Sequence, residues 1–303
     1  MFTVLWIITS LATAITISIA NIIDSHILSK KLGLHYYLLI MSAFMIISAL
    51  IVFAIFPFPA ASGFKYILAG IGGGLASGVA LVILFNAMQK GEVSRIIPVT
   101  SSFPIWVALL SMPLLGEMLN LWQWLAVVLT VAGAVLISLQ PGGGGQKTRL
   151  QKSFILLLFV ALLFSLSNIA YSYAMKTLTF WNTFTINGIC AAVVALAFSA
   201  RKSHFLELKN LEQRNQKIGW VFGNQTIAAL GIILSFIALG SGPVALVSTI
   251  MNIRPAFILI FSLIVSRVFP GFITEHVDRH TIFIKVVGIV LITGGVAIIG
   301  LSG

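Results

Sequence analysis

Arg254 is the residue that most constrains the chemistry of this chain. It stands in the run Met251-Asn252-Ile253-Arg254-Pro255, about midway along an apolar stretch from Pro243 to Val265. A guanidinium at the centre of a bilayer costs from about 2.5 to well over 10 kcal/mol, so such a group must face a cavity or a partner. Arginine's planar fork is suited to bidentate pairing with carboxylate or phosphate. That points to an anionic group on a bound solute; a structural Arg bonded to freed carbonyls is the alternative. No acidic residue falls at comparable depth in an apolar stretch, which favours an anionic or zwitterionic ligand.

Other polar residues lie inside apolar stretches: Asn86, Ser101, Ser102, Asn168, Tyr171, Asn187, Asn224, Gln225 and Asn252. Singly, each reads as a helix–helix hydrogen bond. As a set spread over six segments they read as a cavity lining. Asn168 and Tyr171, three apart, share a helix face, whereas Asn224 and Gln225 point to different sides, so at most one of the two faces a cavity. The expected substrate-binding set is Arg254, Asn252, Asn168, Tyr171, Asn86, Asn224 and Ser102. Trp106 and Trp181 either shape the cavity or anchor helix ends at the membrane interface. Pro104 and Pro255 each remove a backbone donor and clash with the carbonyl four residues earlier, at Thr100 and Met251. A kink at each is expected, as a hinge with exposed acceptors or as a static bend. Gly70, Gly74 and Gly78 form a four-residue stripe whose first meaning is close helix packing.

Catalytic residues are not expected. All five His residues lie outside the apolar interiors, which weakens any Ser-His chemistry. Glu275, His276, Asp278 and His280 have metal-like spacing in a polar loop, and a solvated loop is the simpler reading. No metal or cofactor is expected. Asp24 reads as the end of the first helix, Glu117 as the end of the fourth, and Glu92 as a loop residue, so no carboxylate is expected within the first helix and no proton relay stands out.

These residues are carried by a chain of 303 residues that is 59% hydrophobic and 8% charged. There is too little polar side chain to cover a water-facing surface, so the surrounding medium must be lipid. Ten apolar segments can be marked: Thr3 to Ile23, Tyr36 to Phe56, Phe64 to Gln89, Ile96 to Leu115, Leu121 to Leu139, Ser153 to Met175, Phe180 to Ala200, Ile218 to Leu239, Pro243 to Val265 and Thr281 to Leu301. Each is near the ~20 residues a helix needs to cross hydrocarbon, and β-barrel strands would be half as long and alternating. The fold class expected is an all-α, multi-pass protein of the cell membrane. The first segment lacks a basic leader and reads as a retained helix. Cys190, the sole cysteine, lies in an apolar run and says nothing of redox compartment.

The Gly-rich run Pro141 to Gly145 divides the chain into residues 1–140, a linker at 141–152, and residues 153–303, with five segments on each side. A shift of 151 positions brings Phe85, Ala87, Gly91, Val93 and Pro104 onto Phe236, Ala238, Gly242, Val244 and Pro255; Leu129 and Gly133 fall on Leu291 and Gly295 after an insertion. The halves therefore read as repeats. Phe103 is the mate of Arg254, so the repeat scaffold itself does not require an Arg there. Five segments per half means that the second enters the membrane from the opposite side. The net charge of +11 is distributed accordingly. Most Lys and Arg, from Lys30 and Lys31 to Arg279 and Lys285, flank odd-numbered loops, and only Lys65 and Lys176 flank even ones. Basic residues placed between apolar runs are topology signals, not a nucleic-acid surface. The bias predicts cytoplasmic odd loops and both termini outside.

The stretch AMQKGEVSRIIPVTSSFPIWVALLSMPLLGEMLNLWQWLAVVLTVAGAVLIS, Ala87 to Ser138, resembles the EamA-type repeat of the drug/metabolite transporter superfamily. The likeness rests on the order of Pro, Pro-Ile-Trp-Val-Ala-Leu-Leu, Leu-Gly-Glu and Trp-Gln-Trp-Leu. In the second half Ser266 and Arg267 replace the Leu-Gly-Glu. The resemblance implies a ten-helix transporter with a central cavity built from helices other than the fifth and tenth, metabolites or drugs as substrates, and both termini in the cytoplasm, opposite to the charge bias. The expected function is secondary transport of a small polar metabolite (an amino acid, organic anion or similar) by alternating access. The expected partners are the solute and the lipid bilayer, with no nucleic acid; a homodimer stays open. An intramembrane enzyme and a non-transporting receptor or subunit are the alternatives.

Overall fold

The computed structural model describes residues 2–59, 63–90, 96, 100–138, 147–268 and 279–302. The described residues form helices and connecting turns. In chain order these are α1 (Phe2–His26), which continues into a π-helical turn at Ile27–Lys31, α2 (Leu34–Ile55), α3 (Phe64–Lys90), α4 (Phe103–Leu115), α5 (Leu121–Ser138) and α6 (Lys147–Ala174). There follow α7 (Phe180–Ser199), the short α8 (Lys202–Lys209), α9 (Arg214–Ser241), α10 (Val244–Met251), α11 (Arg254–Val268) and α12 (Arg279–Ser302). Seven stretches are long and apolar enough to cross a membrane, and Phe103–Leu115, Leu121–Leu136 and Val286–Ile299 are shorter apolar helices. The chain is a multi-pass integral membrane protein. Large apolar side chains such as Ile8, Leu50, Ile55, Val193, Leu230 and Ile264 point outward and are exposed. In water that surface would be an aggregation hazard; against lipid tails it is the favourable one.

Helix is dictated because lipid offers no partner to a backbone N–H or C=O. Hydroxyls obey the same rule locally. Ser10 Oγ donates to Trp6 O at 2.5 Å, Thr13 Oγ1 to Thr9 O at 2.8 Å and Ser18 Oγ to Ala14 O at 2.6 Å, which hides polar atoms inside α1. Elsewhere caps do the work. Thr179 and Asn182 form a reciprocal capping box that starts α7, and Asn182 Nδ2 also donates to Phe56 O at 3.0 Å, fastening that start to the end of α2.

The helices pack in couples: α1 along α9, α3 along α6, α2 along α7, and α5 along α12. Small residues set the closest approaches. A Cβ on Gly74 would sit 2.7 Å from Cys190 Cβ and one on Gly78 2.9 Å from Ala191 Cα, so the α3 glycine stripe serves packing against α7. Gly133 on α5 meets Gly288 O and Ile292 of α12, and Gly295 on α12 meets Thr130 and Ala126 of α5. Two buried apolar clusters form at opposite ends of α1. One gathers Ile27, Leu28, Tyr37, Leu38 and Phe85; the other gathers Trp6, Val107, Phe184 and Phe236.

Several expected boundaries are corrected. The ninth segment is not one helix: it breaks at Asn252 and Ile253 into α10 and α11. In the fourth, α4 begins only at Phe103, after a turn at Ser101 and Ser102. Pro104 and Pro255 are thus the second residues of new helices, where a missing N–H costs nothing, and not mid-helix kinks. Asp24 does not end the first helix. The α-helix runs to His26 and the π turn to Lys31, which buries the carboxylate. Lys147 to Lys152, expected in the linker, already belong to α6. The Gly-rich run, Glu92 and Glu275 to Asp278 lie outside the described residues.

The α5–α12 crossing gives a direct test of the packing. Gly133→Ala lowers the thermal midpoint in detergent, with an overpacking cost of about 1–3 kcal/mol. Gly294→Ala, where an added Cβ meets nothing within 4 Å, leaves the midpoint unchanged or raises it.

Candidate functional site

The two helix breaks meet. Asn252 Nδ2 donates to Ser101 O at 2.8 Å, joining residues 151 positions apart. One step along, the Arg254 guanidinium lies 5.4 Å from the centroid of the Phe103 ring, in cation–π range. A shift of 151 positions in the sequence brings Phe103 onto Arg254. Each break places the first turn of a helix, α4 or α11, at the same central point.

A cavity of about 190 Å³ opens beside this junction. It exceeds many times the ~10–15 Å³ that a single water needs. One face of each surrounding helix contributes: Thr13, Asn21 and Asp24 from α1, Ser77 from α3, Ser167, Asn168 and Tyr171 from α6, Asn187 from α7, and Gln225 and Ser235 from α9. Phe85, Phe103, Phe164 and Phe236 supply apolar walls, and Arg254 projects in from α11. Among the described residues that line it, Asp24 is the one carboxylic acid and Arg254 the one basic side chain. No ion pair joins them, and no hydrogen-bond or ion-pair partner reaches the guanidinium among the described residues.

Two hydrogen-bonded clusters hold the polar lining. In the first, Tyr37 OH donates to Asp24 Oδ1 and accepts from Gln225 Nε2 at 2.7 Å; Asn224 Nδ2 donates to the same Oδ1 and to Ala20 O at 3.3 Å. In the second, Tyr171 OH donates to Asn187 Oδ1 at 2.6 Å, and Ser77 Oγ donates to that oxygen at 2.9 Å and contacts the Tyr171 hydroxyl at 2.9 Å. The first cluster draws on α1, α2 and α9; the second draws on α6, α7 and α3.

Of the residues expected to bind substrate, the structure brings Arg254, Asn168 and Tyr171 to the cavity wall. Asn168 Nδ2 also donates to Ser248 Oγ at 3.3 Å. Asn252 and Asn224 are buried just behind the wall, bonded to Ser101 and Asp24. Gln225, not its neighbour Asn224, faces the cavity. Asn86 and Ser102 are partly buried and do not line it. Trp106 and Trp181 are also absent from the lining, and Trp181 stacks on Phe56 at 4.7 Å. Asp24 and Asn21 were missed from the sequence. Lys30 and Lys31 were the signal: a helix that must carry these basic residues to an interface extends beyond Asp24 and leaves the carboxylate inside.

The Leu-Gly-Glu stretch turns out to be structural. Gly116 ends α4 in the left-handed conformation at φ 76°, and the Glu117 carboxylate then accepts from Val244 N at 2.8 Å and Ala245 N at 3.3 Å, capping α10. Asn120 and Gln123 exchange side-chain and backbone bonds to start α5.

Residues 4–139 match the EamA-like transporter family. A protein of Sinorhizobium sp described as an uncharacterized transporter in the cobO 3′ region is 37% identical over 65 residues. That stretch is 22% of this chain and 46% of the relative, so the match spans about half of the relative's length. A solved crystal structure superposes with a TM-score of 0.69 over 99% of this chain and 96% of its own, at 15% identity, which is a likeness of fold.

The junction of the breaks is testable by stability. Asn252→Leu removes the bond to Ser101 and costs about 1 kcal/mol, seen as a lowered unfolding midpoint of the purified chain.

Proposed function

We propose that this chain, whose residues 4–139 match the EamA-like transporter family, is a secondary transporter that moves a small polar metabolite by alternating access. Two inverted repeats of five membrane segments form it, and Arg254 holds an anionic group of the solute. The observation that carries the reading is the polar cavity at the point where two broken segments touch, with an unpaired guanidinium facing it among the described residues. A charge kept there at a cost of several kcal/mol is explained by what it binds.

The helix couples support the inverted repeat. Exchanging each helix for its mate turns the α1–α9 contact into α6–α3 and the α4–α6 contact into α11–α1, and both partners of each exchange are in contact. The α2–α7 and α5–α12 contacts map onto themselves, and Gly133 and Gly295, mates in the repeat alignment, both sit at the α5–α12 crossing. The seven long apolar stretches and three shorter helices provide the ten segments this arrangement needs. A pseudo-symmetric body pivoting about a central site can expose it to either side in turn.

The test uses proteoliposomes of the full chain and a panel of radiolabelled amino acids and organic anions. Arg254→Ala abolishes uptake of every solute the unmodified chain carries, while the amount inserted and its thermal midpoint stay close to those of the parent. Arg254→Lys retains a small residual flux, since an ammonium keeps the charge and loses the bidentate geometry. Undiminished flux in Arg254→Ala refutes the role.

A further inference from the structure

We infer that Asp24 and Gln225 form a second recognition point in the cavity, for the ammonium group of the solute, so that the transported class is a short zwitterion held between Asp24 and Arg254. This rests on the transport reading above and narrows its substrate class.

The Asp24 side chain is 4% exposed and borders the cavity. Both of its protein donors, Tyr37 OH and Asn224 Nδ2, converge on Oδ1. Among the described residues no donor reaches Oδ2, which is left as an acceptor on the cavity side. Gln225 behaves alike: its Nε2 is committed to Tyr37, and no donor among the described residues reaches Oε1. Asn21, on the same face of α1, adds a further uncharged polar group to the lining. The charged and titratable groups facing Asp24 are Tyr37 of α2 and, across the cavity, Arg254 of α11; α3 presents Leu81, Leu84 and Phe85, and α9 presents Asn224 and Gln225.

The cavity thus offers carboxylate and amide acceptors beside a guanidinium. A carboxylate in so apolar a place is held by a complementary cation or by a proton. The shared cavity favours the cation of a solute: Asp24 and Arg254 both line it and do not pair with each other, so one solute bearing an ammonium and a carboxylate can meet both. Ser18 Oγ donates to Arg254 O at 3.2 Å, which sets the Arg254 backbone level with Ser18, about 9 Å along the α1 axis from the backbone of Asp24. A solute with the anion alone would leave Asp24 uncompensated, and the site would discriminate against it.

The test measures binding to purified full-length chain of glycine, 3-aminopropanoate, 4-aminobutanoate and 5-aminopentanoate, each beside its deaminated acid. The unmodified chain prefers at least one zwitterion over its deaminated acid by about tenfold or more. Asp24→Asn keeps the Oδ1 acceptor for Tyr37 and Asn224, retains the fold by thermal midpoint, and brings that ratio close to one; Asp24→Glu restores part of the preference. Equal binding of acids and zwitterions to the unmodified chain overturns the ammonium site even if the Asn variant fails to fold. Unchanged selectivity in Asp24→Asn, with only the pH dependence of flux lost, assigns Asp24 to a proton and overturns it equally. Either result leaves Arg254-dependent uptake standing, whereas flux independent of Arg254 would refute the Arg254 role, and no flux of any solute through the unmodified chain would sink the transport reading.

Discussion

Lipid cannot hydrogen-bond a peptide group, and every feature of this molecule follows from how the chain meets that constraint or steps outside it. Where the backbone is regular, the constraint yields long helices, hydroxyls folded back on their own carbonyls, and glycines where helices approach most closely. Where it is irregular, at Ser101–Ser102 and Asn252–Ile253, the polar groups must be met by protein or by a wet cavity. Both occur: Asn252 reaches the Ser101 carbonyl, and the cavity lies alongside.

The junction also explains why charge is found there. A helix start presents unpaired N–H groups and the positive end of a dipole, which favours an anion. Arg254 is the first residue of α11 and adds a full positive charge to that end. A cation at a helix start is unfavourable by itself, and its presence makes sense when a negative group shares the space. The two hydrogen-bonded clusters stiffen the walls around this point, one through α1, α2 and α9 and the other through α6, α7 and α3. Phe103 falls on Arg254 in the 151-position shift of the sequence, and the second cluster, unlike the Asp24 cluster, is wholly neutral.

Much of this was legible in the sequence. Apolar length marked the helices, and Pro104 and Pro255 marked mid-depth irregularities in two of them, though as kinks and without any sign that the two segments meet. Arg254 stood out because no interface was within reach of its side chain. The breaks were less legible, since a proline in an apolar run reads equally as a kink or as the second residue of a new helix, and only the turn before it decides. Asp24 was misplaced because the apolar pattern fades at Ile23 while the helix continues to Lys31, with Ile27 and Leu28 packed into the cluster around Tyr37. Gln225 and Asn224 could not be ranked from periodicity, because their choice of face depends on which neighbour, α1 or the cavity, lies on each side. Glu117 was read as a helix end; its capping of α10 is a contact 127 positions away that no local pattern encodes.

Solvent access to the cavity tests the central claim most directly. In a Cys190→Ala background, single cysteines at Ala228, which lines the cavity, and at Leu230, which faces outward, are labelled in sealed vesicles with a membrane-impermeant maleimide added to one side or the other. The account predicts that a cysteine at 228 reacts, from one side at a time, with the favoured side changed by a transported solute, while one at 230 does not react from either side. Labelling at neither position, or equal labelling at 228 from both sides at once, would contradict it.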